Sequence, residues 1–162
     1  MNTTLLKKRL VYVFISVSVC LIIGFLSSVA TQSSVNDWYL ALNKPSFNPP
    51  NWLFAPVWST LYVLMGVSAG WVWSKGFHHK WVKTALYHFG FQLLLNALWS
   101  IVFFGLQSPF WALLVIIALL VLIVLTIKWF RLVSKLAAIL LIPYLAWVCF
   151  ALVLNFKIWE LN

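Results

Sequence analysis

Acidic side chains are almost missing from this chain: among 162 residues only Asp37 and Glu160 carry a carboxylate, against eleven Lys and Arg. Both lie outside the long apolar runs, so no buried carboxylate can couple proton or ion movement, which excludes ion pumps and proton-driven carriers. Cysteine is as scarce. Cys20 and Cys149 both sit inside apolar runs, at no spacing that suits a metal or a redox pair. There is no Cys-x-x-Cys-His and no pair of intramembrane histidines to hold a haem iron. A Walker loop, a His-Glu-x-x-His and a nucleophile elbow are also lacking, so ordinary hydrolytic or transfer catalysis has no parts to work with. His78 and His79, adjacent in a basic connection without an acid or thiol nearby, read as solvated surface, and no metal site is expected.

What is present is hydrocarbon. The residues are 64% hydrophobic with a mean hydropathy of +1.01, far more than a soluble domain of this length needs for its core. Apolar runs at Leu10–Thr31, Leu53–Trp73, Thr84–Gly105, Pro109–Trp129 and Leu136–Phe156 are each long enough to cross about 30 Å of bilayer. They stay apolar on every side, which excludes the alternating strands of a membrane barrel. The first run follows Lys7, Lys8 and Arg9 as a secretory signal would, but it is too long for one and lacks a convincing cleavage site. The expectation is an all-α fold: one domain, residues 1–162, forming an integral membrane bundle of five helices, with a long structured loop at 32–52.

The net charge of +9 suggests nucleic acid until its distribution is read. Nine basic residues precede the first run or gather where the second joins the third and the fourth joins the fifth, Lys128 at the very end of the fourth, leaving Lys44 and Lys157 on the other side. That asymmetry is the positive-inside pattern. It predicts a cytoplasmic N-terminus, with the loop and the C-terminus outside, and no nucleic-acid partner. With no amphipathic Arg-rich leader in view, a bacterial inner membrane is the expected location.

The 32–52 loop is dense in rings and prolines. Pro45, Pro49 and Pro50 disfavour helix, so an ordered, extended lid is expected, and Trp38, Tyr39, Phe47, Trp52 and Phe54 need something to cover. Stripes on three spans supply a candidate. Trp58, Tyr62, Met65 and Ala69 share a face of the second; His88, Gln92, Asn96, Trp99 and Phe103 run along the third; Tyr144, Trp147, Ala151 and Asn155 share one on the fifth. Any one such stripe is ordinarily packing or interface belt. Counting residues from the helix ends, however, puts Trp58, Asn96, Trp99 and Trp147 at similar depth beneath the lid, and His88 near the opposite face. Gln92 and Asn96 either bind neighbouring helices as glue or orient a ligand in an apolar pocket. The first and fourth runs read as packing elements, with Gly24 and Ser28, and Gly66 and Gly70 in the second run, at spacings for close helix approach. Pro143 is expected to kink the fifth helix near mid-bilayer.

The motifs W38-Y39-x2-L42-x-K44-P45-S46-F47-x-P49-P50-x-W52, P56-V57-W58-x2-L61-Y62-x2-M65-G66, Q92-x3-N96-x2-W99-x3-F103-F104-G105, P143-Y144-L145-A146-W147 and L154-N155-x2-W159 resemble the tryptophan-rich sensory protein, or translocator protein, family (TspO/MBR). The resemblance covers nearly the whole chain from Trp38 onward. It implies a five-helix membrane receptor or sensor, commonly a homodimer, whose pocket beneath the first loop takes porphyrin, haem or benzodiazepine-type ligands, with no required cofactor. The ligand-binding residues it implies are Trp58, Tyr62, Gln92, Asn96, Trp99, Phe103, Trp147 and Ala151, with Trp38 and Pro45 in the lid. It also implies two alternatives: light- and oxygen-dependent porphyrin degradation through Trp58 and Trp147, and transport of tetrapyrroles or lipids. The family's cholesterol motif needs an aromatic hydroxyl where this chain has Phe156, so that pattern is incomplete.

Overall fold

The computed structural model describes residues 3–162, and among these every regular element is helical. The chain runs α1 (Thr3–Asn36), α2 (Trp38–Ala41), α3 (Asn51–Trp73), α4 (Lys80–Ser100), a π-helical turn (Ile101–Gly105), α5 (Pro109–Val133), α6 (Lys135–Leu140) and α7 (Ile142–Leu161). Among the described residues five segments are long and apolar enough to cross a membrane, at Leu5–Val35, Asn51–Trp73, Lys80–Gly105, Pro109–Val133 and Lys135–Leu161. This is the all-α membrane bundle expected from hydropathy.

Three local features depart from expectation. The polar stretch at 32–36 is not loop, because α1 continues through Asn36. Just before that stretch the buried hydroxyls of α1 bond back to their own helix, Ser27 Oγ donating to the Ile23 carbonyl at 2.9 Å and Thr31 Oγ1 to that of Ser27 at 2.9 Å. Polar side chains satisfied this way need not end a helix. The lid therefore shrinks to residues 37–50 and begins with the helical turn α2, since proline disfavours helix only from Pro45 onward. The fifth span breaks at Leu141, about 9 Å from its start at Lys135 rather than midway. Pro143 has no N–H to give Ile139 and its ring crowds that carbonyl, so the helix restarts instead of bending. The Leu141 N–H turns to Ala138, and the freed Ala137 carbonyl is taken by Ser68 Oγ from α3 at 2.6 Å.

The fourth span turns back from the third within three residues because Gln107 adopts a left-handed conformation, φ 50°. Packing centres on α1 against α3, α4 against α5, and α5 against α7. Gly66 and Gly70 of α3 lie against the α1 main chain at Val17 and Val13, while Gly24 of α1 receives the edge of the Tyr62 ring. Close approach is thus satisfied within the chain.

Candidate ligand-binding site

Toward the lid end α1 no longer meets α3 backbone to backbone, and a cavity of about 580 Å³ opens between α1, α3 and α4. Pockets that bury drug-sized molecules are of this size. One wall comes from α1 with Gly24, Ser27, Ser28 and Thr31; the others carry Trp58, Ser59, Tyr62, Asn96, Trp99 and Ser100. A second space, of about 30 Å³, lies among α3, α4 and α7. It holds roughly one water. Trp58, Trp99, Tyr39, Phe54 and Phe104 border both spaces, with the Trp58 and Trp99 ring centroids 6.3 Å apart.

The three stripes read from the sequence converge on the smaller space. Trp58, Trp99, Phe103, Trp147 and Ala151 all line it, and their rings nearly fill it: Trp99 stacks on Phe103 at 5.6 Å, Phe54 meets Trp147 edge-on at 6.1 Å, and Trp147 packs on Phe150 at 5.4 Å. Trp147 Nε1 is buried there without a hydrogen-bond partner. Tyr62 and Asn96 line the larger cavity, with Trp58 and Trp99. Gln92 is buried beyond both spaces, reached through Tyr144. Trp38 and Pro45 belong to the roof, outside either lining: Trp38 packs edge-on against Phe103 at 5.7 Å, and the Pro45 carbonyl accepts from the Asn48 N–H at 3.0 Å. His88 lies apart, with Nδ1 2.9 Å from the Thr84 carbonyl and its ring beside Trp129. Tyr39, Phe54 and the α1 hydroxyls are lining residues that the helix stripes did not single out.

The roof is held by polar bonds rather than regular structure. Tyr39 Oη donates to Asn48 Oδ1 at 2.9 Å, and burial raises that phenol above its ordinary pKa, keeping it a donor. Lys44 Nζ donates to the carbonyls of Tyr39, Leu40 and Leu42, closing α2 from its C-terminal end. Asn43 and Asn162 exchange bonds at 3.0 Å, tying the lid to the end of α7.

Beneath the roof two polar chains fix the aromatic walls. Trp99 Nε1 donates to Asn155 Oδ1 at 3.1 Å, and Asn155 Nδ2 donates to the Pro109 carbonyl at 2.8 Å, joining α4, α5 and α7. Tyr62 Oη donates to Asn96 Oδ1 at 2.6 Å, Asn96 Nδ2 to Tyr144 Oη at 3.2 Å, and Tyr144 Oη to Gln92 Oε1 at 2.9 Å. Among the described residues no charged side chain, histidine or cysteine lines either space. The arrangement suits a flat apolar body with few polar atoms, and any metal in its centre would go unligated.

Residues 16–160 match the model of the TspO/MBR family. The chain is 43% identical over 157 residues to the tryptophan-rich protein TspO of Chlorobaculum tepidum, covering 97% of this chain and 99% of that one. It is 47% identical over 148 residues to the tryptophan-rich protein TspO of Archaeoglobus fulgidus, covering 91% and 94%. To the translocator protein of Sus scrofa it is 41% identical over 142 residues, covering 86% and 83%.

Proposed function

The chain belongs to the TspO/MBR family, and on that footing we propose that it is a membrane receptor for a flat tetrapyrrole, porphyrin or haem, which also admits benzodiazepine-type ligands. The observation that carries this reading is the 580 Å³ cavity beneath the lid, walled by Trp58 and Trp99, with hydroxyls and amides but no charged side chain in its lining. A planar macrocycle gains by stacking on indoles and leaving water, and it needs no axial ligand to do so. By charge asymmetry the basic end faces the cytoplasm, and the outward residues, Phe14 and Phe91 among them, face lipid. Gly66 and Gly70 are engaged by α1, so a homodimer would use another face.

Titration of the purified chain with protoporphyrin IX tests the reading through tryptophan fluorescence. Quenching saturates, and Trp58→Ala weakens binding about tenfold, as the loss of one stacked, buried ring implies. Trp147→Ala weakens it as well. Quenching that rises linearly with porphyrin refutes receptor binding.

A second reading, light- and oxygen-dependent porphyrin degradation, draws support from the indoles of Trp58, Trp99 and Trp147 clustered around one small space. Illumination of the complex separates the two. Bleaching of the Soret band to one discrete product, lost on replacing Trp58 and Trp147, indicates catalysis; an unchanged band indicates binding alone.

A further inference from the structure

The chain from Tyr62 through Asn96 and Tyr144 to Gln92 has a direction. As it stands each proton points inward, away from the cavity: Tyr62 gives to Asn96, Asn96 to Tyr144, Tyr144 to Gln92. Two consequences follow from that sense. The Tyr62 hydroxyl, which lines the cavity, presents only lone pairs to it. At the far end Gln92 Nε2, in a side chain 1% exposed, is left with no partner. A buried N–H without an acceptor is the costlier kind of orphan, since a carbonyl tolerates one empty lone pair more readily.

Both amides can exchange oxygen and nitrogen by turning through 180° about their last bond, without displacing the backbone. The chain then runs outward: Gln92 Nε2 gives to Tyr144, Tyr144 to Asn96 Oδ1, Asn96 Nδ2 to Tyr62, and Tyr62 offers its proton to the cavity. The 2.6 Å separation of Tyr62 from Asn96 suits a hydroxyl donor better than an amide one, which holds the empty site in the inward sense. An acceptor on a ligand supplies the bond that Tyr62 then needs, and the turn pairs one Gln92 N–H with Tyr144, leaving the cheaper kind of unpartnered group, the carbonyl, in the place Nε2 held.

We propose that this chain is a reversible reader of ligand chemistry, in which Tyr62 selects ligands bearing a hydrogen-bond acceptor, a carbonyl or carboxylate, and Gln92 reports its arrival 30 residues further along the chain. The inference rests on the receptor reading and adds which polar group the ligand must carry. Tyr62, Asn96, Tyr144 and Gln92 join α3, α4 and α7, so reversal is felt on three spans.

Three tricyclic probes of nearly one shape test it in the full-length chain: fluorenone carries an acceptor, carbazole a donor, fluorene neither. Fluorenone binds about tenfold more tightly than fluorene, and carbazole gains less than fluorenone. The preference for fluorenone vanishes in Tyr62→Phe. On native protein, where no variant has to fold, the infrared carbonyl band of bound fluorenone shifts to lower frequency. The side-chain amide resonance of Gln92, identified by its loss in Gln92→Leu, moves with fluorenone and stays still with fluorene. Equal affinity for fluorenone and fluorene, or a Gln92 resonance indifferent to the acceptor, overturns the proposal and leaves the receptor standing. Failure of all three probes and of protoporphyrin IX to bind overturns both.

Discussion

Replacing Gly66 and Gly70 together by alanine adds two methyl groups where α3 crosses α1. Each new carbon would sit well inside contact distance of main chain, at Val17 and at Val13, and no rotamer change can move backbone aside. Overpacking of a tight interface costs typically 1–3 kcal/mol per site, and these collisions belong at the upper end. Alanine returns about 1 kcal/mol each through helix propensity. One outward shift of α1 relieves both collisions, so the costs add incompletely and the pair should lose about 2–3 kcal/mol. Gly90 is the internal control. A methyl there meets nothing within 4 Å, so Gly90→Ala should gain up to about 1 kcal/mol. At roughly 2–4 °C per kcal/mol for a chain of this length, thermal unfolding in matched nanodiscs falls by about 5–10 °C for the pair and rises slightly for the control. Because α1 also walls the cavity, ligand affinity falls with it. A double variant as stable as the native chain, or a Gly90→Ala variant equally damaged, refutes the reasoning about close approach.

Other substitutions probe the remaining supports. Asn155→Leu strips Trp99 Nε1 of its acceptor and the Pro109 carbonyl of its donor; thermal unfolding should report a loss of about 2–4 kcal/mol. Gln107→Gly relieves the left-handed residue between the third and fourth spans, and the same assay should show a gain of about 0.5–1 kcal/mol after the entropic cost of glycine. Replacing Asn43 and Asn162 together by alanine unties the lid from α7; deuterium uptake over residues 42–50 should rise several-fold, with the spans unchanged.

Hydropathy and helix periodicity made the five spans readable, because crossing a bilayer demands length and apolarity that few other structures share. The aromatic walls were half readable. Spacing put Trp58, Tyr62, Asn96, Trp99 and Trp147 on common faces, yet could not say that Trp147 and Ala151 would border a nearly filled space while Tyr62 and Asn96 bordered an open one. That division depends on where α1 separates from α3, a property of the pair rather than of either sequence. The contribution of α1 was hidden for a related reason. Ser27 and Thr31 bond to their own helix, so their polarity gives no sign of which neighbour they face. Gln92 and Asn96 announced a need for partners. That Tyr144 would join them, bonding to Asn96 and Gln92, is a matter of how α7 meets α4 in space and not of spacing along either helix. The π turn at Ile101–Gly105 left no mark in a run that reads as uniform apolar helix.

A structure of the chain in lipid with protoporphyrin IX bound tests the account most directly. The account predicts the macrocycle under the lid, between α1 and the Trp58–Trp99 pair, with one of its carboxylates within hydrogen-bonding distance of Tyr62 Oη. A porphyrin seated on the outer surface of the bundle, with the cavity empty, would contradict it.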